Sequence, residues 1–525
     1  MDDTQNMNKS KKMVVTVTLF LALAEILFFN AMARTVGAYI TADLGDVSLF
    51  TLMNTIFFLC STLAMPISCK LGDIFGRRNM IALGIGIYSV SMLFAGLSTN
   101  MLMHVIFRGG QGLGQGFMLA NALTAIGEIH TGADKAKYLG MYGTITGICN
   151  IFGPTIGGVI YDKLGWRAVF YATIVIGVIV VALLMTMYPN QKKDGDKYID
   201  IPGFLTLAVA ATGAVLGFNW AGSKGFNNPT VIVMFVLAVV GAIAFVFVEK
   251  KSKNPLIPFD LFTNKYFVLC LLAACAIWPC MFSSNAYFTL YAQAIRGMAA
   301  TASGAILSVQ AIVNTIAGTV VGFAIAFRKG RIKEIMIAII ALYALSMFLQ
   351  STCTATTPIW LLYVMMCIIG FGNGAVMGAF TAGIQNNLAK EDISAGTATL
   401  QCFQSLTGTI GLSIMGLVLS KSFAGKLATV VPEGLLDFTT EEAIAPFKSA
   451  TGLMNVAGTK EFAATLPERG QELFNTMMQN VNAAYASSLR IVFIILLCLL
   501  AVALVSMILL KENKPVEAET AAEAK

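Results

Sequence analysis

The feature that limits this chain most is a succession of apolar runs separated by short polar turns. Roughly 20 residues of helix cross the hydrocarbon core of a bilayer, and most of these runs reach that length. Lipid offers the backbone no hydrogen-bond partners, so a spanning segment must be a helix or part of a closed barrel. The runs are continuous rather than alternating, which selects helices. Composition agrees. Of 525 residues, 57% are hydrophobic and only 12% charged, and a soluble domain carries about 25%.

The formal charge of +7 is not a nucleic-acid footprint, because the basic residues are scattered through short loops. The ten cysteines lie almost wholly within apolar runs and include no C-x-x-C. Cys270, Cys275 and Cys280 repeat every five residues, which is not metal-ligand spacing, so they read as small packing residues. His104 and His130, the two histidines, are expected near helix ends rather than in a metal centre. No cofactor is expected beyond a proton as coupling ion. The polar start MDDTQNMNKSKK runs straight into a full-length span, so no cleavable signal is expected.

Runs and breakers predict fourteen helices. Six cover Met13–Ile40, Leu49–Cys69, Asn79–Leu97, Met101–Ile129, Lys135–Tyr161 and Trp166–Tyr188. Two more, Ile201–Trp220 and Thr230–Val248, stand between that half and the next. The last six are Tyr266–Ile295, Thr301–Phe327, Ile332–Leu349, Pro358–Leu388, Ser394–Ser420 and Tyr485–Leu510. The expected architecture is therefore all-α and integral to the membrane. A tail over 1–12 precedes a six-helix bundle over 13–190, a linker pair over 191–253 and a second bundle over 254–525. The second bundle includes a long external segment, 421–484, and a tail, 511–525. Loops assigned to one side are rich in lysine and arginine, while the short loops opposite hold only Lys163, Arg167, Lys224 and Arg296. That asymmetry places both termini in the cytoplasm.

Four local patterns carry chemistry. After the second helix, Leu71-Gly72-Asp73-Ile74-Phe75-Gly76-Arg77-Arg78 sets an acid and a basic pair around a tight turn, suited to locking helix ends together. A generic cytoplasmic turn is the plainer reading. The fourth helix carries Arg108-Gly109-Gly110-Gln111-Gly112-Leu113-Gly114. An arginine inside an apolar helix normally faces protein or a wet cavity. In the fifth helix, Gly153, Gly157 and Gly158 flank Pro154, a small-residue face with a built-in bend. In the first helix, Glu25 is the one carboxylate placed deep in a span, which marks it as functional by default. Its plainer alternative is a buried structural ion pair, with Arg108 as the partner. Arg34 follows nine residues later, about 13 Å along and on the opposite helix face. It either snorkels to the interface or lines a cavity that favours anionic or zwitterionic molecules.

These patterns resemble the major facilitator superfamily. The loop is similar to its G-x-L-A-D-R-x-G-R-R signature, although Cys69 and Ile74 depart from it. The fourth helix is similar to R-x-x-Q-G-x-G, and Gly153-Pro154-Thr155-Ile156-Gly157-Gly158 to the antiporter signature G-P-x-x-G-G. Glu25 through Asn30 resembles the L-D-x-T-I-V-N motif of fourteen-helix drug:proton antiporters, with glutamate for aspartate. The resemblance implies two six-helix bundles plus two linker helices working as a monomer in a bacterial plasma membrane. It implies proton coupling at Glu25 and Arg108, with a cytoplasmic latch of Asp73, Gly76, Arg77 and Arg78. Expected cavity residues are Asn30, Arg34, Asn121, Trp278, Asn285, Tyr287, Tyr291, Gln310, Asn314, Asn373 and Gln404. Partners would be a small amphipathic organic substrate, protons and membrane lipid, with no nucleic acid and no enzymatic step. A dedicated exporter or exchanger of one metabolite, lipid or organic anion is the first alternative. A non-transporting sensor or scaffold is the second.

Overall fold

The computed structural model describes residues 8–45, 49–130, 132–189, 200–252, 255, 257, 259–327, 333–354, 356–388, 393–448, 453 and 456–510. Residues 1–7 and the 511–525 tail, both expected in the cytoplasm, lie outside them. Fourteen helices of 19 residues or more organise the described chain. They are α1 (Lys9–Leu44), α2 (Phe50–Phe75), α3 (Arg77–Gly96), α4 (Met101–Ile129), α5 (Gly132–Leu164), α6 (Trp166–Met187) and α7 (Ile201–Lys224). The rest are α8 (Pro229–Glu249), α9 (Lys265–Leu290), α10 (Ala300–Phe327), α11 (Lys333–Ser351), α12 (Ile359–Asn387), α13 (Ile393–Lys426) and α14 (Glu468–Leu509).

Twelve of the described helices are long and apolar enough to cross a bilayer, or thirteen when the two parts of α2, bent by 44°, are taken as one span. The sequence reading expects fourteen spans. The remaining helix is α4, whose apolar character is diluted by Arg108, Gln111, Gln115, Asn121 and Glu128. A helix so furnished is sheltered by neighbours rather than by lipid, and α4 packs heavily on both α2 and α3.

Two compact units emerge. One comprises 1–216, 233–256 and 299–308; the other comprises 217–232, 257–298 and 309–525. In the first unit, glycines bring backbones into contact. A Cβ on Gly84 of α3 would lie 2.9 Å from the Gly114 carbonyl of α4, and one on Gly116 would lie 2.7 Å from Ser61 O of α2. The same device joins α7 to α8, where Gly213 abuts Met234 O and Gly241 abuts Ala210 N, each at 2.7 Å. The outer face of α8 exposes Val236, Val239, Val240, Ile243 and Phe247, the side chains expected against acyl chains. At one end, Asp43 of α1 accepts from Trp166 Nε1 (2.8 Å) and Arg167 Nη1 (3.0 Å) at the start of α6.

The second unit closes on α9, α11, α13 and α14. Gly411 of α13 stands against Pro279 of α9, and Gly372 of α12 against the ring of Tyr343. Lys333 Nζ donates to Ile508 O (2.6 Å) and Leu510 O (2.7 Å), satisfying carbonyls at the end of α14. The segment over 421–484, expected to be external and, from its three prolines and mixed charges, a partly helical hairpin or small cap, is shorter. Helix α13 runs on to Lys426, and α14 begins at Glu468, leaving 427–467 between them. The described residues of that segment carry short helical turns, and Phe447 and Phe462 join Phe474 of α14 in an aromatic cluster. Phe462 and Phe474 lie 4.9 Å and 5.3 Å from Phe447 between ring centroids.

Candidate functional site

Glu25 sits on α1 and is 2% exposed. Neither of its carboxyl oxygens has a hydrogen-bond partner among the described residues. Its place is set by a missing side chain: a Cβ on Gly177 of α6 would stand 2.8 Å from Glu25 Oε1 and 2.7 Å from Ser89 Oγ of α3. The carboxyl therefore occupies a slot between α3 and α6. The hydroxyls beside it, Tyr88 Oη and Ser89 Oγ, are buried and without partners as well. An ionised carboxylate without partners is costly to bury, so this slot is chemically unfinished.

Arg108 of α4 is 5% exposed and forms no ion pair with Glu25. Its Nη1 donates to Gln111 Oε1 at 2.8 Å, one turn along the same helix. The guanidinium lies 4.5 Å from the ring centre of Phe57 and 5.9 Å from that of Phe29. These aromatic faces stabilise a cation where water is scarce. Tyr88 stands within electrostatic reach of both Glu25 and Arg108. The direct pair offered as the structural alternative for Glu25 is thus not made, and a phenol lies within reach of both groups.

On the opposite face of α1, Asn30 Nδ2 donates to Gln115 Oε1 of α4 at 2.6 Å, and Gln115 Nε2 donates to Ser61 Oγ of α2 at 3.2 Å. Arg34, half-buried, donates through Nη2 to Asn150 Oδ1 of α5. Asn150 lies four residues before Pro154. Thr35 Oγ1 donates to Pro154 O at 3.1 Å. A Cβ on Gly153 would collide with Ala31, and one on Gly157 would lie 2.8 Å from Met32 Cα. Close approach of α1 and α5 is what those glycines permit. Gly158 meets the first turns of α10 in the same unit, where its Cβ would lie 2.7 Å from Thr301 Cα.

The loop after α2 forms a tight polar cluster. Gly76 turns the chain at φ 94°, a left-handed conformation open chiefly to glycine. Arg77, nearly buried, reaches Asp73 Oδ1 (2.5 Å) and Glu128 Oε1 at the end of α4 (3.4 Å) through Nη2. Its Nη1 donates to Cys69 O (2.9 Å) and Asn121 Oδ1 (3.2 Å). Arg78 Nη1 donates to Tyr188 O, just past α6, at 3.4 Å. One arginine thus ties the ends of α2, α3 and α4.

A family description, Major Facilitator Superfamily, matches residues 18–412. The chain belongs to that superfamily. Multidrug transporter protein MdtP of Bacillus subtilis is 31% identical over 428 residues, covering 81% of this chain and 79% of that protein. Multidrug resistance protein 3 of the same organism is 28% identical over 81% of this chain and 83% of its own length. Riboflavin transporter RibZ of Clostridioides difficile is 23% identical over 78% of this chain and 88% of its own. A bacterial homologue of the human lysosomal transporter Spinster, solved inward-facing and unoccupied, superposes with a TM-score of 0.64 at 14% identity. It covers 97% of this chain and 100% of that one, and shows the fold.

Set against this superfamily fold, the sequence-derived cavity residues fall into several settings. Asn121 is fully buried in the α2–α4 cluster, its amide nitrogen donating to Ser68 O (3.0 Å) and Phe117 O (2.9 Å). Its oxygen accepts from Arg77, so both amide hydrogens and one oxygen lone pair are committed within the cluster. In the second unit, Gln310 Nε2 of α10 donates to Asn285 Oδ1 of α9 at 2.8 Å. Tyr287 and Tyr291 donate to backbone carbonyls of Leu412 (3.4 Å) and Thr354 (2.7 Å). Trp278 is buried edge-on to Phe380, 6.1 Å away. Asn373 is buried with no partner for Oδ1 among the described residues, Asn314 is half-buried beside Gly374, and Gln404 is buried on α13. His104 lies in the first turn of α4 and His130 just past its end.

Sequence reasoning missed Gln115, Asn150, Glu128, Tyr88, Ser89 and Gly177 as members of these sites. A fragment such as Gly112-Leu113-Gly114-Gln115 held the only available signal, an amide in a glycine-rich helix.

Proposed function

We propose that the chain is a proton-coupled secondary transporter that exports amphipathic organic compounds by alternating access. The observation that carries this reading is Glu25, a partnerless carboxyl sealed within an apolar helix, in a chain similar to multidrug transporters over four-fifths of its length. A proton taken up at Glu25 removes the cost of burying its charge. Differential affinity of proton and substrate for the inward and outward states then supplies the coupling. Arg108 acts on Glu25 at a distance, by way of Tyr88. The Asp73–Arg77–Arg78 cluster is the cytoplasmic latch that favours one state. Fourteen spans arranged six, two and six, with both termini in the cytoplasm of a bacterial plasma membrane and a monomer as the working unit, complete the proposal.

The test is efflux from proteoliposomes under an imposed pH gradient, with cationic, neutral and anionic amphiphiles in turn. Movement of several unrelated compounds, abolished by a protonophore, is the expected result. A second reading rests on Arg34, an arginine on the α1 face opposite Glu25. It favours a dedicated carrier of one anionic or zwitterionic compound. Movement of a single anion and no other compound in that panel would select it.

A further inference from the structure

A cavity of about 390 Å³ opens in the second unit between the α11–α12 turn and α14. Its wall sets polar groups among a largely apolar lining. Ser351, Thr352, Thr354 and Thr356 supply hydroxyls from one side, while Asn482 and Arg490 project from α14 on the other. No carboxylate is among the lining residues. Arg490 is exposed and has neither hydrogen bond nor ion pair among the described residues. A second cation adjoins it: Lys426 Nζ donates at 2.6 Å to Ser487 Oγ, which also lines the cavity. Asn482 Nδ2 donates to Ile295 O at 3.1 Å, and its buried Oδ1 has no donor among the described residues.

Apolar stripes lead away from this pocket along both helices. On α11, exposed Leu345 and Phe348 precede Thr352 at helical spacing; on α14, exposed Ile494 follows Arg490 by one turn. The two helices pack on each other and run antiparallel in sequence, so both stripes extend to the same side of the pocket.

We propose that this pocket holds the head group of a membrane phospholipid, independently of the transport reading. The phosphate would be received by Arg490 and by a hydroxyl hydrogen of the Thr354–Thr356 pair, since the hydroxyls of Ser351 and Thr352 already donate to Phe348 O and Leu349 O. A hydroxyl or ammonium hydrogen of the head group would complete Asn482 Oδ1, and the acyl chains would lie on the Leu345–Phe348 and Ile494 stripes. The shared chemistry, a phosphate carrying a hydrogen-bond donor, favours phosphatidylglycerol over phosphatidylcholine, whose choline has no such hydrogen.

Full-length protein in mild detergent would be titrated with these two lipids, with matched acyl chains, and bound lipid counted by native mass spectrometry. Phosphatidylglycerol should bind about fivefold more tightly, as one added neutral hydrogen bond to the Asn482 oxygen implies. Asn482→Leu should erase that preference, whereas Arg490→Gln should weaken binding of both lipids, which share the phosphate, and Arg490→Lys should restore part of that loss. Ala486→Trp fills the cavity without altering any charge, and should lower occupancy by both lipids. An undiminished preference in a folded Asn482→Leu protein, or undiminished binding of both lipids in a folded Arg490→Gln protein, would overturn the proposal. So would Arg490-dependent binding of inorganic phosphate with no lipid preference, which would make the occupant a soluble anion.

Discussion

Gly72 and Gly86 put one principle to two opposite tests. At Gly72 a Cβ would collide with Asn121 Oδ1 and lie 2.8 Å from Arg77 Nη1; at Gly86 nothing stands within 4 Å. Gly72→Ala should therefore lower stability by about 1–3 kcal/mol, the usual cost of forcing atoms into a filled site. Gly86→Ala should be neutral or stabilising by up to about 1 kcal/mol, since alanine is the better helix former. Thermal unfolding in detergent reads both. Gly177→Ala is the residue-scale test of the Glu25 slot, because the added methyl needs the space of Glu25 Oε1 and Ser89 Oγ. It should impair proton-coupled transport more than it impairs folding, measured as flux per folded molecule. Glu25 and Arg77 were legible in the sequence because a charge inside an apolar run, or beside a glycine turn, has few uses. Asn121 was not. An amide on a helix has no direction until its neighbours are placed, and its neighbours proved to be Arg77 and Ser68 O.

Helices α1 and α5 meet where Gly153 and Gly157 lack side chains. Gly157→Val should press on Met32 and part the pair, abolishing movement of every substrate at a stability cost of about 1–3 kcal/mol. Loss for one substrate alone would instead assign Gly157 to a binding surface. The 427–467 segment is a separate matter. Phe474, fully buried against Phe447 and Phe462, anchors it to α14. Phe474→Ala should cost about 3 kcal/mol locally, opening 427–467 to protease while the melting of the spans is little changed. Helix α14 was only half legible. Its apolar part from Tyr485 onward reads as a span, whereas Glu468, Arg469 and Glu472 make its first turns look like loop, and only the buried face through Phe474 and Met477 holds them helical.

At the scale of the molecule, apolar length and glycine spacing carried the all-helical membrane fold, because those two features are nearly all that lipid demands of a chain. What stayed hidden was pairing between distant helices, such as Asn30 with Gln115 or Arg34 with Asn150, since sequence separation says nothing of which faces meet. The account of function rests on Glu25, so the most direct measurement is proton movement in proteoliposomes with a pH-sensitive dye, comparing wild type with Glu25→Gln. Glutamine keeps the shape and cannot exchange the proton. The account predicts substrate-evoked proton flux in the wild type and none in Glu25→Gln, with the variant still folded and still binding substrate. Proton flux of wild-type size in the variant would contradict it.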